Sequence, residues 1–436
     1  MKPAQNGLIA RMVRITSGIE PNEMAATLVS TLFVFVLMAS FYILRPVRDA
    51  MASDWTDTEV SFLWNINFFV SSAIVAVYGF AVSRVQLKKI VPSMYAFFAL
   101  SFIAFYLGVS TMSDRVLIDK AFYLWVSVFA LFHVSVFWTF MADTFNKNQA
   151  KRLFAFIGGG ASAGALFGPA IPALFAARLG ADSLLLVASV GLLLVIPLVF
   201  YLYRLKDTAL GNTELQADTS TAIIGGNWWH GFRAFVSNPY LLGIAAFILL
   251  YVFIGSFVYF EQKNLLVDFS REERTQILGS IDWLVNLLAF GLAFFVSGRI
   301  ATRLGMPVAL ALMPVLICLG MLILAFAPVL TVVLALQVFR RGGNYGLTRP
   351  AREMLYTQVS KEDRFKTKPV IDIVVYRGGD AISGSLFALL TDGIGLGLAA
   401  VAVVGSAIAA AWAWIGVRLG RSFDDIANKN LHDETV

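Results

Sequence analysis

The chain has 436 residues, of which 58% are hydrophobic and only 14% are charged, with a mean hydropathy of +0.75. This composition excludes a soluble globular protein, which carries far more charge, and indicates a polytopic membrane protein. One cysteine excludes a disulfide framework and three histidines are too few for a metal cluster, so we expect no metal and no cofactor. The net charge of +6 lies mostly in loops between apolar stretches, so nucleic acid is not an expected partner.

Twelve apolar stretches are long enough to cross a bilayer as helices. The fold class that they predict is all-α, a membrane protein with 12 transmembrane helices. The predicted spans are residues 25–46, 60–83, 91–111, 120–142, 153–177, 183–203, 240–262, 275–299, 306–326, 328–348, 369–391 and 394–417.

The distribution of basic residues predicts the orientation of these spans. With the N-terminus placed in the cytoplasm, 25 of the 34 Lys and Arg residues fall on the cytoplasmic side and 8 on the opposite side. Arg377 lies within a span. Cytoplasmic loops are enriched in Lys and Arg, so both chain termini are expected in the cytoplasm. We predict an integral protein of the bacterial inner membrane.

A polar stretch and an internal repeat divide the chain into two halves. Residues 158–167 and 378–387 share six identities in ten positions, about half a chain apart. We predict the following domains: a cytoplasmic tail at 1–24, a six-helix bundle at 25–203, a cytoplasmic linker at 204–239, a second six-helix bundle at 240–417, and a cytoplasmic tail at 418–436. Two parallel six-span repeats are typical of the major facilitator architecture, whose substrate site lies near the membrane midplane between the halves.

Two loops repeat a pattern of glycine followed by a polar residue and arginine. Gly79-x-x-x-Ser83-Arg84 follows the second span, and Gly298-x-x-x-Thr302-Arg303 follows the eighth. Small residues let helices approach closely, and basic side chains can bond helix ends across a bundle. We therefore assign gating roles to Arg84, Lys88 and Arg303.

Charged side chains inside the spans are the strongest functional signal, because charge in hydrocarbon is costly and tends to face a protein interior or a cavity. Arg45, Arg48 and Asp49 close the first span, and Arg377 and Asp380 lie three residues apart in the eleventh. We predict that both stretches line one central substrate site. Arg377 and Asp380 can also be read as a structural ion pair.

Three side chains are candidates for carrying a coupling proton: Asp282, His133 and Asp380. Asp282 in the eighth span has no basic residue within one helical turn, so a distant partner or a proton is required there. His133 titrates near physiological pH when unperturbed, although a lone membrane histidine is as often a packing residue. Arg340 and Arg341 lie nearer the cytoplasmic end of the tenth span, where basic side chains can anchor a helix at the headgroups.

One glycine-rich segment resembles a catalytic motif, but its surroundings do not fit. Residues 160–164 match a nucleophile elbow, yet they lie inside an apolar span without a strand. Gly160, Gly164 and Gly168 recur every four residues, which predicts close helix packing instead. No Walker-type loop is present. We expect a protein that is not an enzyme.

Several segments resemble the ATP/ADP translocase family of bacteria and plastids. They are residues 349–356 (Arg-Pro-Ala-Arg-Glu-Met-Leu-Tyr), the charged pattern from Lys366 to Gly379, residues 44–49 (Leu-Arg-Pro-Val-Arg-Asp) and residues 150–152 (Ala-Lys-Arg). The resemblance implies a twelve-helix nucleotide exchanger, or antiporter, whose basic residues grip phosphates. Where that family has a further lysine in the eleventh span, this chain has Asp380, and the family's glutamates in the fourth and seventh spans have no clear counterpart. The predicted cavity therefore suits an anion that is less highly charged than ATP.

These observations predict a secondary transporter that moves an organic anion, either a nucleotide or another phosphate- or carboxylate-bearing metabolite, by alternating access. Its predicted substrate-binding residues are Arg45, Arg48, Asp49, Asn65, Asn67, Arg377 and Asp380. The Arg-Pro-x-Arg-acid pattern at 45–49 returns at 349–353, which adds Arg349, Arg352 and Glu353 to the gating candidates.

Two other functions are open at this point. One is a proton-coupled exporter of a siderophore-like or drug-like molecule, and the other is a membrane scaffold or sensor that transports nothing. Interior charges argue against the scaffold. The expected partners are a small anionic substrate, a proton or counter-substrate, and the lipid bilayer around a monomer.

Overall fold

A computed structural model describes residues 19–84, 87–111, 114–210, 237–293, 305–359 and 370–433. Within these ranges the chain is almost entirely helical and contains no strand, which confirms the all-α class. The helices are α1 (Met24–Met51), α2 (Asp57–Arg84), α3 (Leu87–Thr111), α4 (Arg115–Thr144), α5 (Lys147–Phe167), α6 (Ala170–Leu179), α7 (Ser183–Leu205), α8 (Pro239–Leu265), α9 (Arg271–Leu292), α10 (Gly305–Phe326), α11 (Leu330–Gly343), α12 (Arg349–Leu355), α13 (Tyr376–Ala388) and α14 (Leu398–Asp433).

Nine helical segments among the described residues are long and apolar enough to cross a membrane. They coincide with nine of the twelve predicted spans. The other three predictions, 60–83, 328–348 and 369–391, correspond to α2, to α11 with the wider helical turn Asn344–Thr348, and to the helical stretch from Val370 to Gly393.

Local signals fix several helix ends. The Asp114 carboxylate accepts the Leu117 N–H at 3.0 Å at the start of α4, and Asn146 forms a capping box with Gln149 at the start of α5. Asn238 caps α8 ahead of a proline in its first turn. Gly180 ends α6 with φ of 80°, a conformation that favours glycine.

The chain forms two compact units, which do not follow its two halves. The first comprises Met1–Met51, Val70–Ile224 and Arg271–Trp283, and the second comprises Ala52–Phe69, Gly225–Ser270 and Leu284–Val436. Each unit thus contains a short segment from the other half of the sequence. The predicted division into bundles at 204–239 remains a prediction.

In the first unit, α1 is the central helix and packs against α4, α5 and α7. A Cβ atom added to Gly160, Gly164 or Gly168 would meet α1 at Thr31, Phe35 or Ala39, and each of these contacts includes a backbone carbonyl oxygen. Both sets of residues repeat every four positions, so the two backbones lie against each other along one face. This contact confirms the packing role predicted for these glycines.

In the second unit, α8 packs against α11, α13 and α14, and α10 packs along α14. Phe257 and Phe260 of α8 pack on Phe387 of α13, with ring centroids 5.3 and 4.8 Å apart. Burial of large aromatic side chains holds this end of α8 firmly against α13.

Candidate functional site

The last two turns of α1 form a charged cluster in the first unit. The helix runs through Pro46 to Met51, beyond the predicted end of the span, and so places Arg45 and Asp49 on one face. Arg45 Nε lies 3.7 Å from Asp49 Oδ2. Arg48 donates to the same carboxylate from Nε and Nη2, at 2.8 and 2.6 Å, and both bonds end on Oδ1.

Helix α4 supplies two further contacts to Arg48. Its Nη1 donates to Ser127 Oγ at 3.3 Å, and its guanidinium lies 5.4 Å from the ring centre of Tyr123. The Ser127 hydroxyl donates in turn to the Tyr123 carbonyl at 2.9 Å. Tyr123 and Ser127 are one turn apart, so one face of α4 orients the guanidinium. Sequence reasoning missed both residues, because neither carries a charge.

Asp282 joins the same cluster from α9. Its side chain is buried, and its Oδ1 lies 3.8 Å from Arg45 Nη1. The distant partner that the sequence required is therefore Arg45. The cluster contains two arginines and two aspartates, so its fixed charges balance when all four are ionised.

A second group of ion pairs in this unit joins the start of α4 to the start of α9. Asp119 of α4 is buried, with Arg271 Nη2 2.8 Å and Arg115 Nε 3.7 Å from its carboxylate. Arg274 of α9 donates to the Ala50 carbonyl at 3.4 Å. These contacts hold the start of α9 to α1 and α4.

His133 lies among aromatic rings rather than in the charged cluster. Its ring stacks on Phe41 at 4.4 Å and lies 5.3 Å from Phe129, and its Nδ1 is 3.3 Å from the Phe129 carbonyl oxygen. These surroundings fit the packing alternative. Its proposed role as a proton relay stays a prediction.

The second unit contains the other predicted binding residues. Arg377 Nη1 and Asp380 Oδ2 are 3.9 Å apart on α13, with the Asp380 side chain 40% exposed. Asn65 donates from its amide nitrogen to the Ser61 carbonyl at 2.9 Å and to Ser385 Oγ at 3.1 Å. The donors of Asn65 thus bond to protein groups, and Asn67 is half-buried. Whether these residues share one cavity with Arg45 stays a prediction.

The repeated Arg-Pro-x-Arg-acid pattern adopts a related geometry in the second unit. Arg352 of α12 is buried, donates to the Tyr376 hydroxyl at 2.9 Å and lies 3.6 Å from Glu353. Arg349 is exposed. In both copies of the pattern, therefore, the second arginine contacts the acid that follows it.

Arg340 and Arg341 do not anchor the tenth span at the headgroups, because both side chains are buried in protein. Arg340 donates from Nε and Nη2 to Gln337 Oε1, at 3.2 and 2.7 Å, and its guanidinium lies 5.6 Å from the ring centre of Tyr251. The side-chain amide and the ring offset the cost of burying the charge.

Two gating candidates fall outside the described residues: the side chain of Arg84 and the whole of Arg303. Lys88 is exposed, and its Nζ lies 5.8 Å from the ring centre of Tyr203 in the first unit. The gating assignments therefore stay predictions.

A buried ion pair that the sequence did not predict lies at the start of α2, in the second unit. Asp57 Oδ1 accepts from Lys263 Nζ at 2.6 Å, and Asp57 Oδ2 accepts from Asn264 Nδ2 at 3.1 Å and from the Thr391 hydroxyl at 2.8 Å. The next residue, Thr58, donates from its backbone and hydroxyl to Asp392, at 2.8 and 2.7 Å. The start of α2 is thereby bound to the end of α8 and to the wider helical turn Leu389–Gly393 that follows α13.

Long apolar helices and buried charged side chains are typical of integral membrane proteins. Comparison with known proteins identifies the class. A family model described as Major Facilitator Superfamily matches residues 30–364. The chain therefore belongs to the Major Facilitator Superfamily and is a transporter of that family. No curated protein matches the chain.

Solved structures of two transporters are among those with a similar fold. A bacterial homolog of the human lysosomal transporter Spinster, inward-facing and unoccupied, aligns over 95% of this chain and 99% of its own, with a TM-score of 0.58 and 14% identity. The nucleoside transporter NupG aligns over 93% of this chain and 99% of its own, with a TM-score of 0.54 and 13% identity. At such low identity the likeness concerns the fold alone.

Proposed function

We propose that this protein is a secondary transporter that moves an organic anion across the bacterial inner membrane by alternating access. The observation that carries the proposal is the cluster of Arg45, Arg48, Asp49 and Asp282 on two predicted membrane helices. A purely structural bundle has little reason to keep four ionisable groups there, since each is costly to place in a membrane.

The geometry of Arg48 favours an anion with two or more oxygens. Its Nε and Nη2 point in parallel, an arrangement that suits a carboxylate or phosphate binding through two oxygens. Asp49 instead accepts both bonds with the single oxygen Oδ1. A substrate anion that offers one oxygen to each N–H makes a better-aligned pair, so it can replace Asp49 as the partner of Arg48.

The charges of the cluster limit the charge of the substrate. Two aspartates accompany the two arginines, and the Arg45 and Arg48 side chains are 20% and 16% exposed. A triphosphate would place several negative charges against a site that has no net positive charge. Mono- and dicarboxylates and monophosphorylated metabolites, including nucleoside monophosphates, therefore fit better than ATP.

Descent from an ATP/ADP translocase-like exchanger is part of the proposal. It is supported by the order of the resembling segments in the chain and by the second arginine motif, whose Arg352 contacts Tyr376 and Glu353. Exchange of one anion for another is the transport mode that this ancestry favours. A cytoplasmic location of both termini and a monomeric state complete the proposal.

Counterflow into proteoliposomes tests it. Vesicles loaded with an unlabelled compound are diluted into its labelled form, using a panel of mono-, di- and tricarboxylates, nucleoside mono-, di- and triphosphates, and neutral and cationic drug-like probes. We expect accumulation of a singly or doubly charged anion. Accumulation of only neutral or cationic probes would favour the exporter, and no accumulation by well-folded protein would favour the scaffold.

A further inference from the structure

Glu261 is a buried acid that the proposed substrate site does not use. It lies on α8 four residues before the helix ends, and its side chain has no solvent exposure. Neither of its carboxyl oxygens has a hydrogen-bond partner in the described part of the chain. An ionised carboxylate in such a place is strongly unfavourable, because it loses hydration and gains no donor in exchange. The neutral, protonated carboxyl is the form that these surroundings accept.

Asp57 lies beside the turn of α8 that follows Glu261, because its carboxylate bonds to Lys263 and Asn264. Its carboxylate receives bonds from Lys263, Asn264 and Thr391, which together stabilise its ionised form. A second negative charge at Glu261 would be repelled by Asp57. The cation of this group, Lys263, already donates to Asp57, and residues two apart on a helix do not face each other. We therefore expect the negative charge on Asp57 and the proton on Glu261.

The other helices that pack against α8 also carry charged residues, but these residues lie at other levels along α8 than Glu261. Arg340 of α11 lies beside Gly255, whose added Cβ would be 3.0 Å from Nη1, about 9 Å along the helix axis from Glu261. On α13, Arg377 and Asp380 lie 3.9 Å from each other. Asp54 lies in the turn before α2. Asp372 lies near the start of the predicted span 369–391, whereas Thr391, which contacts Asp57, lies at its end. The charged residues of α14 begin only at Arg418.

The position of Asp57 links the protonation of Glu261 to a conformational change. Asp57 and Thr58 bond the start of α2 to the end of α8 and to the helical turn that follows α13. While this contact is closed, the Glu261 and Lys263 side chains near the end of α8 are shielded from water. Its separation would remove Asp57 from Lys263 and admit water, so that Glu261 could release its proton.

We propose that Glu261 is a proton-binding site of this transporter, protonated while Asp57 bonds to Lys263 and able to exchange its proton when that contact separates. The coupled ion is therefore a proton, in addition to the anion of the proposed function on which this inference rests. Its binding site is Glu261 rather than Asp282, which has Arg45 as a partner.

Infrared spectroscopy of the purified full-length protein tests the protonation without any transport. Wild-type protein at neutral pH should show a protonated-carboxyl C=O band that Glu261→Gln removes. Asp268→Asn, which alters an exposed acid seven residues further on, should keep the band. Asp57→Asn should weaken the band at neutral pH, because it removes the repelling charge and leaves Lys263 without this partner. A spectrum of Glu261→Gln identical to that of the wild type would overturn the proposal.

Transport in proteoliposomes supplies the second readout. Glu261→Gln should retain counterflow of the anion but lose all stimulation of net uptake by an imposed pH gradient, whereas Asp268→Asn should keep that stimulation. Full stimulation in Glu261→Gln would refute the coupling. If no anion is transported by any variant, the proposed function fails, and the infrared result still decides the protonation of Glu261. Should Glu261→Gln fold poorly, the wild-type spectrum makes the same decision, since absence of the protonated-carboxyl band at neutral pH would overturn the proposal.

Discussion

Removal of Lys263 should strongly lower the stability of the second unit. Its Nζ lies 2.6 Å from Asp57 Oδ1, and the two side chains are only 3% and 5% exposed. Lys263→Met keeps most of the side-chain volume but leaves a buried carboxylate with only Asn264 and Thr391 as donors. Breaking a buried ion pair from one side costs about 3–5 kcal/mol, because an uncompensated charge stays in the interior.

The double variant separates the interaction energy of the ion pair from the cost of burying each charged side chain. In Asp57→Asn with Lys263→Met no unpaired charge remains, so we expect a loss at least about 2 kcal/mol smaller than the sum of the two single losses. Unfolding is followed by tryptophan fluorescence during titration of mixed micelles with SDS. This assay reports free energies of unfolding for all four proteins of the cycle.

The chain contains a matched control for burial. Arg115 Nη2 and Asp182 Oδ2 are 2.8 Å apart, almost the same distance, but their side chains are 46% and 28% exposed. Solvent screens such a pair, and Asp182→Asn leaves the contact of Arg115 with the buried Asp119 in place, so this variant should cost less than about 1 kcal/mol. Equal losses for Lys263→Met and Asp182→Asn would refute the reasoning, since burial would then not determine the cost.

Three further predictions concern packing, substrate charge and topology. Gly164→Ala should cost about 1–3 kcal/mol by overpacking against α1, whereas Gly158→Ala, with open space at Cβ, should be neutral; the yield of monodisperse protein measures both, and equal yields would contradict the packing account. Asp380→Lys should improve ADP binding to purified protein about tenfold, or roughly 1.4 kcal/mol, and an unchanged affinity in folded protein would count against a substrate-facing Asp380. In a chain without its native cysteine, a cysteine at Ser220 should label only from the cytoplasm and one at Ser113 only from the opposite side, and labelling of both from one side would overturn the twelve-span topology.

The spans were predictable because hydropathy is a local property. Twenty apolar residues specify a membrane helix whatever they pack against. Gly160, Gly164 and Gly168 were predictable for a similar reason, since a four-residue repeat places them on one helix face. The end of α1 was not predictable, because Arg45, Arg48 and Asp49 bond to each other and to Ser127, and so do not end the helix.

The partners of the charged residues depend on contacts between distant segments. Lys263 and Asp57 are 206 positions apart, and in the sequence Lys263 looks like an ordinary basic residue at the end of a span. In the sequence, Glu261 is an acid near the end of the seventh predicted span, with no residue beside it that indicates a partner. A signal was present nonetheless: Glu261 lies inside the predicted span 240–262, and acids within membrane spans are rare and usually functional.

The central claim is that Arg48 binds the substrate anion. Counterflow of the best substrate, measured for wild type, Arg48→Lys, Arg48→Ala and the exposed control Arg178→Ala, tests it most directly. A hydrogen bond to a charged group contributes about 1.5–3 kcal/mol, which corresponds to about ten- to a hundredfold in affinity. Arg48→Ala should therefore abolish counterflow, and Arg48→Lys, which keeps the charge but loses the planar fork, should retain part of it. Arg178→Ala should match the wild type. Substrate affinity unchanged in folded Arg48→Ala, with only its melting temperature lowered, would contradict the claim and leave Arg48 as part of a structural ion pair.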